Sequence, residues 1–337
     1  MMKSLICDRP GVLRLAQVPM PVRRPDQVLL RIRRVGICGT DLHIFQGTQP
    51  YLNYPRVMGH ELSGEVVEAP AGSGLAPGDQ VYVMPYMSCG ACHACRQGKT
   101  NCCMKIEVLG VHCDGGLTEY LALPARFAFK TDGISLDDAA MLEFLAIGAH
   151  AVRRAAIGVG QKTLVVGAGP IGIAVTLFAR LHGADVTVLD TRADRLAFCR
   201  DVLAVPHAVQ AGPDDHEQLR QLSGGDFFDV VFDATGNPTA MERGFALVAH
   251  GGTYVLVSIV SGPITFSDPE FHKREMTLKG SRNATVQDFE EVLAAMRAGH
   301  VPTGALNTHR ATLEQLPALL PGWLAPSAGV IKALVEC

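Results

Sequence analysis

The stretch that most restricts what this chain can become is Thr163-Leu164-Val165-Val166 followed at once by Gly167-Ala168-Gly169-Pro170-Ile171-Gly172. The apolar run reads as a strand, and Pro170 and Ile171 open a helical stretch that reaches His182. Asp185 to Leu189 reads as a second strand, and it ends on Asp190, eighteen residues after Gly172. Strand, glycine turn, helix, strand and acid in this order form the dinucleotide fingerprint in the context it needs. Gly167, Gly169 and Gly172 let the backbone approach a pyrophosphate, which sits at the helix N-terminus. Asp190 is placed to accept the adenosine ribose hydroxyls and to repel a 2′-phosphate, which favours NAD over NADP. Arg192 and Arg195 pull the other way, because a nearby guanidinium accommodates that phosphate.

Further strands are expected at Phe228–Asp233, Thr253–Val257 and Met276–Lys279. Each runs into a small or polar turn, carrying Thr235, Ser258 and Ser281 respectively. In an open parallel sheet these carboxyl ends line the ligand crevice, so Thr235 and Ser258 join the candidate cofactor contacts. Residues 151–285 are therefore expected to form a doubly wound parallel α/β domain. Thr163 to Ala179 carries no charge over seventeen residues, but its glycines and Pro170 punctuate a run already short for a membrane span.

The flanking sequence is different in kind. Residues 1–150 hold short strand-like runs at Val28–Val35, Glu65–Glu68 and Gln80–Val83, with Pro77-Gly78-Asp79 as a turn. This pattern suggests a small β-barrel-like domain. Cys89, Cys92 and Cys95 are followed by Cys103, and four thiolates at such spacing wrap one tetrahedral zinc in a closed, structural site. Cys102 is an alternative fourth ligand on spacing alone. Cys38 and His60 supply the two ligand types that zinc takes most readily, with Thr40, Asp41, His43 and Glu61 close by in sequence. Glu143 stands in the apolar run Met141–Leu145, where a carboxylate needs a partner. Beyond residue 285 a helix is expected over Val286–Ala298, a weaker one over Leu313–Leu320 ending before Pro321, and a strand over Val330–Val335.

At 337 residues the chain is long enough for two cores. A net charge of −3 gives no electrostatic reason to bind nucleic acid or an anionic membrane. Of ten cysteines, those outside the candidate ligand sets (Cys7, Cys102, Cys113, Cys199, Cys337) have no framework spacing, and Met1–Asp8 lacks a signal-peptide apolar core. A reduced, cytoplasmic protein is the expectation.

Gly36-Ile37-Cys38-Gly39-Thr40-Asp41-Leu42-His43, Gly59-His60-Glu61, the four-cysteine segment and the glycine fingerprint come in the order found in zinc-dependent medium-chain alcohol and polyol dehydrogenases. The chain resembles that family over nearly its whole length. Within it the chain is most similar to bacterial sugar-acid dehydrogenases, through Tyr54–Glu61, Leu109–Gly116, Ala149–Ala156, Phe266–Lys273 and Gly280–Thr285.

The resemblance implies a GroES-like catalytic domain, with 286–337 returning to it, interrupted by a Rossmann domain, and an active site between the two. It implies two Zn²⁺ per chain and NAD. Cys38 and His60 become catalytic-zinc ligands, with Glu143 in the third position and Glu61 able to bind or exchange with it. Cys89, Cys92, Cys95 and Cys103 become the structural set. Phe144 departs from the proline that often follows the third ligand.

The implied chemistry is hydride transfer from a secondary hydroxyl. Thr40 takes the hydroxyl proton and passes it through the cofactor ribose to His43, while Asp41 orients His60. The implied substrate is a sugar acid, with His112, Arg282 and Asn283 as candidate substrate contacts and Arg56 as a brace for the loop before His60. A neutral polyol, L-threonine, or a zinc- and nucleotide-binding protein without activity are the rival readings. A homo-oligomer, dimer or tetramer, is also implied.

Overall fold

The computed structural model describes all 337 residues. The chain divides inside the helix Leu142–Ala155: Met1–Phe144 and Thr285–Cys337 form one unit, and Leu145–Ala284 the other.

The first unit is built on a seven-stranded sheet. Its order is Ala128–Lys130, Gln80–Val83, Glu61–Glu68, Gln27–Ile37, Lys332–Glu336 and Asn307–Thr312, with Tyr120–Pro124 also paired to Gln27–Ile37. Gln27–Ile37 is the central strand because it is apolar enough to be covered: Val28, Leu30, Ile32 and Val35 are fully buried. Its register decides the site. Gly36 faces Glu61 on one side and Leu334 on the other. A smaller sheet joins Val12–Val18, Met2–Arg9 and Arg56–Val57.

The second unit is a six-stranded parallel sheet in the order His207–Gln210, Asp185–Asp190, Lys162–Val166, Phe228–Asp233, Val248–Leu256 and Thr277–Gly280. Its inner strands Lys162–Val166 and Phe228–Asp233 are almost wholly buried, as expected when both faces are covered. Leu164, Leu189, Phe228, Val231 and Tyr254 belong to one packed core.

Three expectations need adjusting. The helix near the C-terminus runs Leu316–Trp323 and passes through Pro321 instead of stopping before it. Leu316, Leu320 and Trp323 are buried, so packing outweighs the backbone hydrogen bond that Pro321 cannot make. The strand expected at Thr253 begins at Val248. The closing strand is Lys332–Glu336, two residues later than its apolar pattern suggested. The uncharged segment from Thr163 is a strand and then the helix Pro170–Leu181, and no helix is long and apolar enough to cross a membrane.

Candidate functional site

Cys38 is the N-cap of the helix Gly39–Gln46, in a reciprocal capping arrangement with Asp41. Its thiol therefore stands at the helix end that favours negative charge. Asp41 is fully buried; its Oδ2 accepts from Cys38 N at 2.9 Å and its Oδ1 from Gly59 N at 3.1 Å. These two bonds tie the Cys38 turn to the turn before His60. Ligand atoms of Cys38, His60 and Glu61 all lie within 4.8 Å of one another.

His60 Nδ1 is 3.8 Å from Asp41 Oδ1 and has no hydrogen-bond partner. Asp41 thus acts on the imidazole through charge, at a distance too long for a hydrogen bond, and serves as a cap as well. Burial opposes protonation of His60, but Asp41, Cys38 and Glu143 outweigh it and lift its pKa well above the usual value.

Glu143 is the second residue of its helix and is buried. Its Oε1 accepts the Tyr86 hydroxyl, while its Oε2 is buried with no partner. Burial pushes its pKa up to about 7, against the pull of His60 and ahead of repulsion from Glu61. Glu61, by contrast, is paired with Lys332 in the closing strand, Nζ to Oε1 2.6 Å and to Oε2 2.7 Å. Burial works against the Lys332 ammonium, yet Glu61, Cys38 and Glu143 hold its pKa above normal. Glycine at 36 is required here, because any Cβ would collide with Glu61 Oε2. Cys38, His60 and Glu61 offer a thiol, an imidazole and a carboxylate, a donor set that suits zinc, and Glu143, the residue expected in the third position, is not among the three that converge.

The second cluster is more self-contained. The sulfurs of Cys89, Cys92, Cys95 and Cys103 lie within 4.8 Å of one another, and Cys102 is exposed outside them. Cys92 Sγ is 3.5 Å from Cys95 Sγ and 3.9 Å from Cys103 Sγ. Four sulfurs each about 2.3 Å from a zinc ion define a tetrahedron with edges of roughly 3.8 Å. Backbone N–H groups of Cys95 and Met104 pull the Cys92 thiol down to about 6. All ten cysteines are free thiols.

Thr40 is half-buried in the first turn of the Cys38 helix, and His43, one turn on, is exposed with Nδ1 2.9 Å from Thr48 Oγ1. Of the substrate candidates in this unit, His112 is exposed, stacks on Tyr51 and accepts from Val108 N at 3.1 Å through Nδ1. Arg56 is held by Asp114, which also accepts from Val57 N, so it braces the strand before His60.

In the second unit, Gly169 caps the helix Pro170–Leu181, with Pro170 at its first position. Gly167 has φ +94°, and a Cβ on Gly172 would strike the Gly167 carbonyl. The turn therefore closes only with glycines at 167 and 172. Asp190 reaches back to it: Oδ2 accepts from Ala168 N at 2.5 Å and Oδ1 from Arg192 N at 2.8 Å. Arg192 is paired with Asp194, and Arg195 is buried beside Leu196 and Cys199.

Thr235 Oγ1 donates to Asp233 Oδ1 at 2.8 Å, and its methyl would touch a Cβ on Gly167. Ser258 N donates to Asp233 O at 3.3 Å. Glycine turn, Thr235 and Ser258 thus converge at the carboxyl edge of the sheet. Ile171 lies half-exposed in the first turn of that helix. Arg282 is exposed just beyond Thr277–Gly280, and Asn283 has φ 52° with a buried Nδ2 lacking a partner.

Sequence reasoning missed Lys332, Tyr86 and Asp233. A lysine inside the apolar Val330–Val335 run was the one available signal.

We expect Asp190→Ala to weaken both cofactors, because the glycine turn loses the acceptor of Ala168 N. NAD should lose more than NADP, by about one to two decades if a charge-assisted bond worth roughly 1.5–3 kcal/mol goes with it. Fluorescence titration with both nucleotides checks this. Equal losses would mean that Asp190 only braces the turn.

Residues 24–133 match the family described as alcohol dehydrogenase GroES-like domain, and residues 170–298 the one described as zinc-binding dehydrogenase. The chain is 46% identical over 310 residues to L-galactonate-5-dehydrogenase of Escherichia coli K12, covering 92% of this chain and 91% of that protein. It is 33% identical over 347 residues to sorbitol dehydrogenase of Ovis aries, covering 99% and 96%. An alcohol dehydrogenase from E. coli CFT073, solved with NADH, superposes with a TM-score of 0.93 at 27% identity, covering 100% of this chain and 99% of that one. A GroES-like unit and a parallel Rossmann unit, two side-chain clusters that could hold a metal ion and these matches make the chain a member of the zinc-type alcohol dehydrogenase family, and an oxidoreductase.

Proposed function

We propose that this enzyme transfers a hydride from C5 of a six-carbon sugar acid to NAD, with L-galactonate giving D-tagaturonate. The observation that carries the reading is the 46% identity, over nearly the full length of both chains, to a protein named L-galactonate-5-dehydrogenase. The residues support it chemically. Cys38, His60 and a buried carboxylate would hold a zinc ion, and Cys89, Cys92, Cys95 and Cys103 a second, structural one. Zinc at the first site supplies a Lewis acid that makes a hydroxyl more acidic. Thr40 Oγ1 would accept the substrate's hydroxyl proton as it gives up its own, and His43, exposed one turn along the same helix, would take up the proton passed on and release it to water. Gly167, Gly169 and Gly172 would seat the pyrophosphate, and Asp190 the ribose. The reading includes a cytoplasmic homo-oligomer that uses small molecules only.

A neutral polyol is the second reading, motivated by the similarity to a sorbitol dehydrogenase. Cofactor reduction with a panel of hexonates, polyols and L-threonine separates them, and a wild-type preference for the polyol would sink the sugar-acid reading. The carboxylate needs a cationic or multiple-donor partner. Arg282 with Asn283, or His112, would provide it. Arg282→Ala or His112→Ala should therefore lower kcat/KM on the hexonate by about one to two decades, the worth of a bond to a charged group of roughly 1.5–3 kcal/mol. Activity on a polyol of equal length should fall less. Equal proportional losses would show that neither residue reads the carboxylate.

A further inference from the structure

Asp233 is a buried carboxylate that neither the metal centre nor the glycine turn accounts for. It ends the strand Phe228–Asp233 and has no exposed surface. Neither oxygen meets a cation. Oδ1 accepts from Thr235 N at 2.9 Å and from Thr235 Oγ1 at 2.8 Å, while Oδ2 is buried with no partner. Burial lifts its pKa, and the two Thr235 bonds pull it back towards the ionised form. The main chain is fixed as firmly: the Asp233 carbonyl accepts from Val257 N at 2.9 Å and from Ser258 N at 3.3 Å, and Ala234 N donates to Val166 O at 2.8 Å.

The sheet order says which half of a dinucleotide lies nearest. Lys162–Val166 is flanked by Asp185–Asp190 on one side and Phe228–Asp233 on the other, and the strand order reverses between Lys162–Val166 and Phe228–Asp233. A dinucleotide crosses an open parallel sheet at such a reversal. Asp190 ends the strand on the adenosine side, and the glycine turn after Val166 takes the pyrophosphate. Asp233 ends the first strand on the remaining side, which is left for the nicotinamide half. The two turns touch there, since a Cβ on Gly167 would come within 3.1 Å of the Ala234 carbonyl and the Thr235 methyl. A nicotinamide ring is cationic when oxidised and neutral when reduced.

We infer that Asp233 is a specificity-determining residue for the oxidation state of the cofactor, its uncompensated carboxylate favouring the cationic ring of NAD over the neutral ring of NADH. This rests on the NAD-dependent reading above. A charge fixed inside protein acts with less screening than one in water, so Asp233 need not touch the ring to be felt. A carboxylate that only shaped the Thr235 turn would affect both oxidation states alike.

The test titrates the zinc-loaded, full-length protein with NAD and with NADH at mildly alkaline pH, by calorimetry and by nucleotide fluorescence. Asp233→Asn keeps the Oδ1 acceptor of the Thr235 bonds and removes the charge. It should lower the affinity for NAD relative to NADH by about tenfold, the order of one screened charge–charge attraction within protein. For a two-electron couple this ratio raises the potential of the bound cofactor by about 30 mV. Asp233→Glu, which keeps the charge and disturbs the turn, should weaken both nucleotides and leave their ratio close to that of the wild type.

The inference is overturned if Asp233→Asn leaves the ratio unchanged, whether or not both affinities fall, or if Asp233→Glu moves it as far as Asp233→Asn does. Should Asp233→Asn fail to fold, Asp233→Ala, which deletes the buried charge together with its desolvation cost, is judged by the same ratio. Wild-type protein that binds neither nucleotide would sink the NAD-dependent reading itself. A ratio that stays fixed in variants that bind both sinks the inference alone.

Discussion

Cys38→Ser is expected to abolish useful turnover while leaving the fold intact. Serine is a strong N-cap, so the helix Gly39–Gln46 gains a capping oxygen in place of the sulfur and Asp41 keeps the N–H of position 38. What is lost is the thiolate, the softest donor in the cluster and the one best matched to zinc. If the metal supplies several kcal/mol of charge stabilisation, its loss costs about three to four decades in kcat/KM, at 1.36 kcal/mol per decade. Metal content should fall from two equivalents to one. NAD affinity should hold, because the glycine turn and Asp190 belong to the other unit. Elemental analysis, steady-state kinetics and a thermal melt on the same preparation check all three. Two retained metals with turnover within tenfold of wild type would remove Cys38 from the chemistry. A collapsed melt would show that the substitution had acted on the fold, contrary to the expectation from capping.

The parts of this chain that were legible in its sequence are those set by short-range rules. The glycine turn follows from Gly167, Gly169 and Gly172 within six residues, where the missing side chains of Gly167 and Gly172 have a local steric reason. The Gln80–Val83 and Phe228–Asp233 strands fall where apolar runs end on turn residues. The four-cysteine cluster is a matter of spacing within fifteen residues. The reading failed where distant residues decide. Lys332 and Glu61 are 271 positions apart, and nothing near either one announces the other. Tyr86 meets Glu143 only because the sheet and the helix Leu142–Ala155 bring them together. Pro321 inside a helix is likewise a tertiary outcome, paid in one backbone bond and recovered through Leu320 and Trp323. Asp41 was read as the orienting partner of His60, and its 3.8 Å separation came from the capping bonds that claim its oxygens first.

Cys103→Ser should act on stability before chemistry. The segment Cys89–Cys103 has little regular structure: a four-residue helix, His93–Arg96, and one short 3₁₀ turn, Thr100–Cys102. Cys89, Cys92 and the intervening residues are largely exposed, so the segment buries too little apolar surface to order itself. What orders it is the convergence of four sulfurs, with Cys103 Sγ also accepting from Cys89 N and Lys105 N at 3.3 Å. In such a closed site metal-binding energy is folding energy. Removing the buried thiolate should release one metal equivalent and make residues 89–105 exchange their amides rapidly. If about 4 kcal/mol of the metal's contribution is felt by the whole unit, Tm falls by roughly 10 °C. Turnover at a temperature well below the new Tm should persist, since the Cys38 centre keeps all its ligands. Hydrogen exchange across 89–105, metal content and activity at low temperature are the readouts. One metal lost with no change in melting or exchange would mean that the cysteines merely tolerate zinc. Two metals retained would mean that Cys102 or solvent replaces Cys103 as the fourth ligand, and that the segment is built more loosely than its sulfur distances indicate.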